Sequence, residues 1–256
     1  MENSKKNYMI KIPVMKVITI MLRILWISFA VLLLYPQCVC KSSEVVVVKK
    51  IDISEKLINK DLDYLKEDVK IPIFINGRAE ERVKDINNIV HKDIMSKLAE
   101  AEKAAEEQFS GKNQKPLFPY EIKSYFTITK KNDDIISLYN DYYEFLGGAH
   151  GSTIRTGYTV DRNTEQLLSL KDLFTEKYDY KNIINNKIKE ELRKNPEKYF
   201  YSADNFQGIS DNQGFYISDG SLIIFYEQYD IAPYVAGIPE FKISVEEFDK
   251  KFKYQA

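Results

Sequence analysis

Cysteine is close to absent: the 256 residues hold two, Cys38 and Cys40, and none follows position 40. A disulfide framework and a thiolate metal site are thereby excluded for the whole body of the chain. Histidine is as scarce. Only His91 and His150 occur, too few for the three or four ligands a zinc site needs, and no Glu-x-x-His spacing accompanies His91. The sequence also lacks a G-x-G-x-x-G and a P-loop lysine, which removes the usual nucleotide cradles. No cofactor and no metal is expected.

Charge is missing from one stretch, residues 24–40, "ILWISFAVLLLYPQCVC", which follows Lys5, Lys6, Lys11, Lys16 and Arg23. Basic residues ahead of an apolar run mark an export signal. The run 24–34 is shorter than the ~20 residues that span a bilayer, although residues 15–20 could lengthen it. Pro36 ends the helix, and Cys38 and Cys40 then occupy the −3 and −1 positions of a signal-peptidase site. The expected location is outside the cytoplasm, either anchored in the cell membrane with an extracellular domain or secreted after cleavage. A lipid-modified cysteine fits less well, because Gln37 and Val39 precede the two cysteines.

The charge balance is more informative without residues 1–40, which hold five Lys/Arg and one acidic residue. The 37 basic and 38 acidic residues of the chain become 32 and 37, a net charge near −5. That disfavours nucleic acid and suits a cationic partner.

Periodicity organises the rest into an α+β protein: two small antiparallel-sheet-plus-helix units behind the N-terminal segment. The expected divisions are 1–40 signal peptide or anchor, 41–63 stem, 64–145 first unit and 146–256 second unit. Val69, Ile71, Ile73 and Ile75 alternate with polar residues and Pro72, which predicts an edge strand. Val83, Ile86, Val90, Ile94 and Leu98 form the stripe of a long helix. A hairpin is expected over 121–145 with its turn at Asn132, Asp133 and Asp134, and a further strand over 152–161. Ile183, Ile184, Ile188 and Leu192 share a second helical face that Pro196 closes. A hairpin turning at Asp219-Gly220 follows, then a short strand, and the capping box Ser244-Val245-Glu246-Glu247 opens a C-terminal helix.

The glycine cluster Gly147-Gly148-Ala149-His150-Gly151 lies between two of these strands, not between a strand and a helix N-terminus. It therefore reads as a sharp turn and not as a phosphate loop. Ser152 follows His150 by two residues, but successive strand side chains point to opposite faces, so the pair forms no nucleophile and base unaided. No motif supports an enzyme. Eighteen tyrosines suggest recognition instead, clustered at Tyr142 and Tyr143, at Tyr199 and Tyr201, and at Tyr226, Tyr229 and Tyr234. Pro233 stiffens the loop that carries Tyr234 and lowers the entropy cost of presenting it.

The strings "YYEFLGGAHGSTIRTGYTVDRNTEQLLSLKDLF" and "GFYISDGSLIIFYEQYDIAPYVAGIPEFKIS" resemble the RsiV-like extracytoplasmic domain. "VKIPIF" and the helix after it are similar to the smaller N-terminal domain found in RsiV-like and PdaC-type proteins. The resemblance implies a sensor or binding module whose loops engage lysozyme or cell-wall peptidoglycan. Signal peptidase would be a further partner, and the membrane would be met through the N-terminal segment. By motif position the implied ligand contacts are Pro233 and Tyr234 beside Ala232, with Gly147, His150 and Tyr143. The alternative is an anti-sigma factor controlling an extracytoplasmic-function sigma factor by regulated proteolysis, for which residues 1–23 offer a short sigma-binding segment. A second alternative is a cell-wall hydrolase using His150.

Overall fold

The computed structural model describes residues 49–109, 111 and 116–254. The export segment and the proposed cleavage positions Cys38 and Cys40 lie outside these residues. Among the described residues no helix is long and apolar enough to cross a membrane.

The fold is α+β with two sheets. The larger has the order β1 (Asp52–Asp61), β2 (Leu65–Ile75), β3 (Tyr120–Lys131), β4 (Ile135–Phe145), β5 (Ser152–Asp161) and β6 (Gln166–Leu167). Helix α1 (Glu80–Phe109) connects β2 to β3 and covers one face. Its stripe of Val83, Ile86, Val90, Ile94, Leu98, Ala101 and Ala105 packs on Val69, Ile71, Phe74, Ile122, Ile136, Leu138 and Tyr158. The second sheet, β7 (Phe215–Ser218), β8 (Ser221–Phe225) and β9 (Glu240–Ser244), is antiparallel. Helix α2 (Tyr180–Lys194) lays Ile184, Ile188 and Leu192 against Ile217, Leu222, Ile224 and Ile243 on its outer face. The side chain of Asp179 caps α2 by accepting the Asn182 N–H at 3.2 Å.

The small sheet's other face closes on the large one. Tyr216, Ile223 and Phe225 pack with Tyr139 of β4, so β8 is buried on both sides. Polar contacts fix the crossing: the Ile217 N–H donates to Ser137 Oγ at 2.8 Å, Thr129 Oγ1 donates to the Ile217 carbonyl at 2.7 Å, and the Ser137 and Thr159 hydroxyls meet at 2.8 Å. These buried backbone groups have no strand neighbour at the crossing, and the hydroxyls satisfy them.

Several expectations are corrected. The large sheet is mixed and not antiparallel: β2 and β3 run parallel, because α1 makes a crossover between them. Residues 52–61, expected as stem, form an edge strand antiparallel to β2. The expected boundary at 145/146 falls between β4 and β5, which pair along their whole length. Pro72 is in an inner strand, yet β3 pairs β2 only through Leu65 to Val69, so the missing N–H of Pro72 faces no ladder on that side. Beyond Pro72 the burial phase shifts, and Phe74 points inward in place of Ile73 and Ile75. The C-terminal segment Val245–Lys251 is 3-10 rather than α-helix, kinked at Asp249, although Ser244 Oγ accepts the Glu246 N–H at its start.

Candidate functional site: an aromatic ledge

The connection between β8 and β9 carries a presented aromatic loop. Buried Ile231 and Ala232 anchor its middle, and the Phe200 N–H donates to the Ile231 carbonyl at 2.8 Å. Tyr226 N–H donates to the Pro239 carbonyl at 3.0 Å and closes its base. At its tip Pro233 precedes the 3-10 turn Tyr234–Ala236, held by Ala236 N–H and Gly237 N–H bonds to the carbonyls of Pro233 and Tyr234. A tied base with a Pro-led turn presents side chains at low entropy cost.

The loop is also pinned to the outer edge of β5. Gln228 Oε1 accepts the Thr153 N–H at 2.8 Å, and Glu227 Oε2 accepts the Arg155 N–H at 3.2 Å. Burial pushes the Glu227 carboxyl up; the Arg155 N–H pulls it down, while Asp230 and Asp141 add to the rise and leave it above the ordinary range. Below this edge, Arg155 forks onto Asp141 through two 2.6 Å bonds, pairs with Glu240 of β9, and lies 3.8 Å over the ring of Tyr139. The Arg155 side chain is only 10% exposed and its fork onto Asp141 is bidentate, so it joins β4 and β5 more firmly than a surface pair would, with Glu240 tying β9 to the same guanidinium.

Pinning brings the loop tip to the glycine turn. The His150 ring stacks on Tyr234 with centroids 4.1 Å apart, and Tyr234 stacks on Tyr229 at 5.8 Å. The Tyr229 hydroxyl lies 3.5 Å from His150 Nε2, and His150 Nδ1 lies 3.0 Å from the Gly151 carbonyl. Next to this stack Val235 is 90% exposed and Tyr229 54% exposed. Below His150, Tyr143 and Phe145 line a shallow hollow with Phe118, itself exposed. The expected residues His150 and Tyr234 are thus in contact, Tyr143 is beside them, and Pro233 sets the turn. Gly147 does not join the stack: it contributes backbone shape at φ 88°, packed near Tyr120. Tyr142 is buried beneath the sheet and takes no part. Tyr229, a member of the tyrosine cluster, owes its placement to a positive φ of 69° that no sequence pattern announces.

Gly148 has φ 97° and nothing within 4 Å of where a Cβ would stand. Gly148→Ala should therefore cost only conformational strain, about 1 kcal/mol in thermal or urea unfolding, with the turn intact.

At the ledge His150 meets a backbone carbonyl, the Tyr229 phenol and the face of Tyr234. Among the described residues no group of three or more His, Cys, Asp or Glu side chains could hold a metal ion.

The "Deacetylase PdaC" family model matches residues 58–153, and the model described as "Protein of unknown function (DUF3298)" matches residues 171–246. The two matches follow one another along the chain, the PdaC model first and the DUF3298 model second. The anti-sigma-V factor RsiV of Bacillus subtilis (strain 168) is 28% identical over 207 residues, which are 77% of this chain and 68% of that protein. The peptidoglycan-N-acetylmuramic acid deacetylase PdaC of the same organism is 23% identical over 168 residues, or 64% of this chain and 34% of the enzyme, so the match spans about a third of that protein. Two solved DUF3298 structures share the fold. One from Bacteroides fragilis has a TM-score of 0.54 at 16% identity, covering 81% of this chain and 96% of its own; one from Pseudomonas aeruginosa PAO1 has 0.55 at 17%, covering 80% and 94%. In this chain, the DUF3298 match contains the loop of Tyr229 and Tyr234, while His150 falls within the PdaC-type match. The ledge is built where the two matched segments meet.

Proposed function

We propose that the chain is a non-enzymatic extracytoplasmic binding module whose ledge of Tyr229, Tyr234 and His150, flanked by Val235, seats on a basic protein or cell-wall partner, with lysozyme as the first candidate. The observation that carries this is the three-ring stack, half-buried Tyr234 between exposed His150 and Tyr229, held by a pinned loop. Rigid aromatics at a tied loop tip are the side chains that dominate binding energy when buried by a partner. A body charge near −5 favours encounter with a basic surface. The likeness to RsiV supports an anti-sigma-type external domain and, with the export segment, membrane anchoring.

Calorimetry of the full-length chain with lysozyme tests the reading. Tyr234→Ala should weaken binding by about 2 kcal/mol, roughly thirtyfold. Absence of binding to lysozyme and to peptidoglycan fragments alike sinks it. The RsiV likeness also favours a second reading, control of a sigma factor by regulated proteolysis, with signal peptidase acting near Cys38 and Cys40. A two-hybrid assay of residues 1–23 against extracytoplasmic-function sigma factors decides it, and uniformly negative results remove it.

A further inference from the structure

A second feature lies away from the ledge. Between α1, β5 and the segment 208–214 runs a cleft of about 960 Å³ whose wall is the outer edge of β5. Thr153, Arg155, Gly157 and Thr159 share that edge, since residues two apart in an antiparallel strand direct their N–H and C=O to the same side. The Thr159 carbonyl accepts the Leu168 N–H, which continues the β6 pairing. At the other end, the Thr153 and Arg155 amides donate to the side chains of Gln228 and Glu227. Two side-chain oxygens thus stand where the carbonyls of a neighbouring strand would stand. Gly157, between the two ends, has β7 crossing its face at Phe215 but has neither a strand partner nor such a cap on its outer edge among the described residues. An open strand edge is a template for another strand.

The lining gives the sign of what would fit. Four carboxylates, Asp93, Asp211, Glu227 and Asp230, face a single cation, Arg155, for a lining charge of −3. Arg155 is already engaged by Asp141 and Glu240, and of the four acids Asp211 has an ion pair, with Lys181 at 2.5 Å. We propose that this cleft takes an extended peptide bearing lysine or arginine, which adds as a strand along β5 at Gly157 and displaces the caps of Gln228 and Glu227. Main-chain hydrogen bonds supply the affinity, and alternate basic side chains reaching the carboxylates supply the selectivity.

Fluorescence anisotropy of the full-length chain with a short labelled peptide alternating lysine and valine tests this, against the same peptide with glutamate for lysine. The basic peptide should bind about tenfold or more tightly than the acidic one, with the difference shrinking as salt rises. Asp230→Lys and, as an independent surface variant, Asp211→Lys should each weaken it about tenfold. Gln228→Ala removes a competing cap and should tighten binding a fewfold, a change a merely structural glutamine would not give. The bound peptide should slow hydrogen exchange at the Gly157 amide, and Tyr234→Ala should leave all of this unchanged, which separates the result from the fate of the ledge. Equal affinity for both peptides, no binding, or indifference to the two charge reversals overturns the proposal. Protection of Gly157 by a chitin oligosaccharide or by self-association of the chain, in place of the peptide, overturns it as well.

Discussion

Gly157→Ala should be the most damaging single methyl in the body of the chain, costing about 4 kcal/mol or more and leaving little soluble protein. The backbone at Gly157 is ordinary for a strand, with no positive φ to defend. What it lacks is room. A Cβ there would stand far inside contact distance of the Phe215 carbonyl oxygen, where β7 crosses β5, and 3.3 Å from the Phe225 ring. β7 has no freedom to retreat, because two residues on the Ile217 N–H and C=O are held by Ser137 and Thr129. The obstacle is main chain, so Phe215→Ala in the same molecule should not rescue the variant. Thermal unfolding followed by circular dichroism checks both variants. A melt of Gly157→Ala within a few degrees of the wild type would mean that β7 does not lie on β5. The contrast with Gly148→Ala is the point of the pair: one glycine has space and an unusual φ, the other an ordinary φ and no space.

The same distinction separates what could be read from the sequence from what could not. The stripe of α1 was legible because burial and helical period coincide over 30 residues, with Val83, Ile86, Val90, Ile94 and Leu98 all inward. The β3–β4 hairpin was legible because Asn132 Oδ1 accepts the Asp134 and Ile135 N–H groups within the turn, a local signal. Strand β1 was not, since an edge strand exposes Glu55, Lys56 and Leu57 in succession without a clean alternation. The parallel β2–β3 pair does leave a signal in the sequence: a strand, a long helix and a strand in succession imply a crossover. At the ledge, Tyr234 and His150 were legible as presented residues, but their stacking joins positions 84 apart and follows from the grip of Glu227 and Gln228 on β5. Long-range fits of that kind leave no periodic trace, and Gly157 is another.

Glu165 is the third such position. It sits at φ 55° in the turn after β5, with its side chain only 2% exposed. Its two oxygens accept the Arg78 and Ala79 N–H groups, each at 2.7 Å, just before α1 begins. A helix start has N–H groups that its own turns cannot satisfy, and its dipole favours an anion there. Arg78 and Arg82 also donate to the Asn163 and Thr164 carbonyls, so turn and helix grip one another. The turn is held in place by Asp161, whose carboxylate accepts the Asn163 and Thr164 N–H groups and the Tyr254 hydroxyl. Burial raises the Glu165 carboxyl, but the Arg78 and Ala79 donors and the Arg78 charge outweigh it, and the group ends below its ordinary value. A depressed carboxylate contributes stability that is complete above the unfolded-chain value of about 4.3 and is lost as pH falls through the folded value. Glu165→Gln can accept at one oxygen and places an amide against the other donor. It should cost about 2–3 kcal/mol at neutral pH, roughly 5–10 °C in Tm. The gap to the wild type should close as the pH is lowered from about 5 to below the folded value, because protonation leaves the native side chain equally unable to accept at both oxygens. Urea unfolding of both proteins across that range measures it, and a gap that stays constant with pH would show that the carboxylate charge does not hold the start of α1.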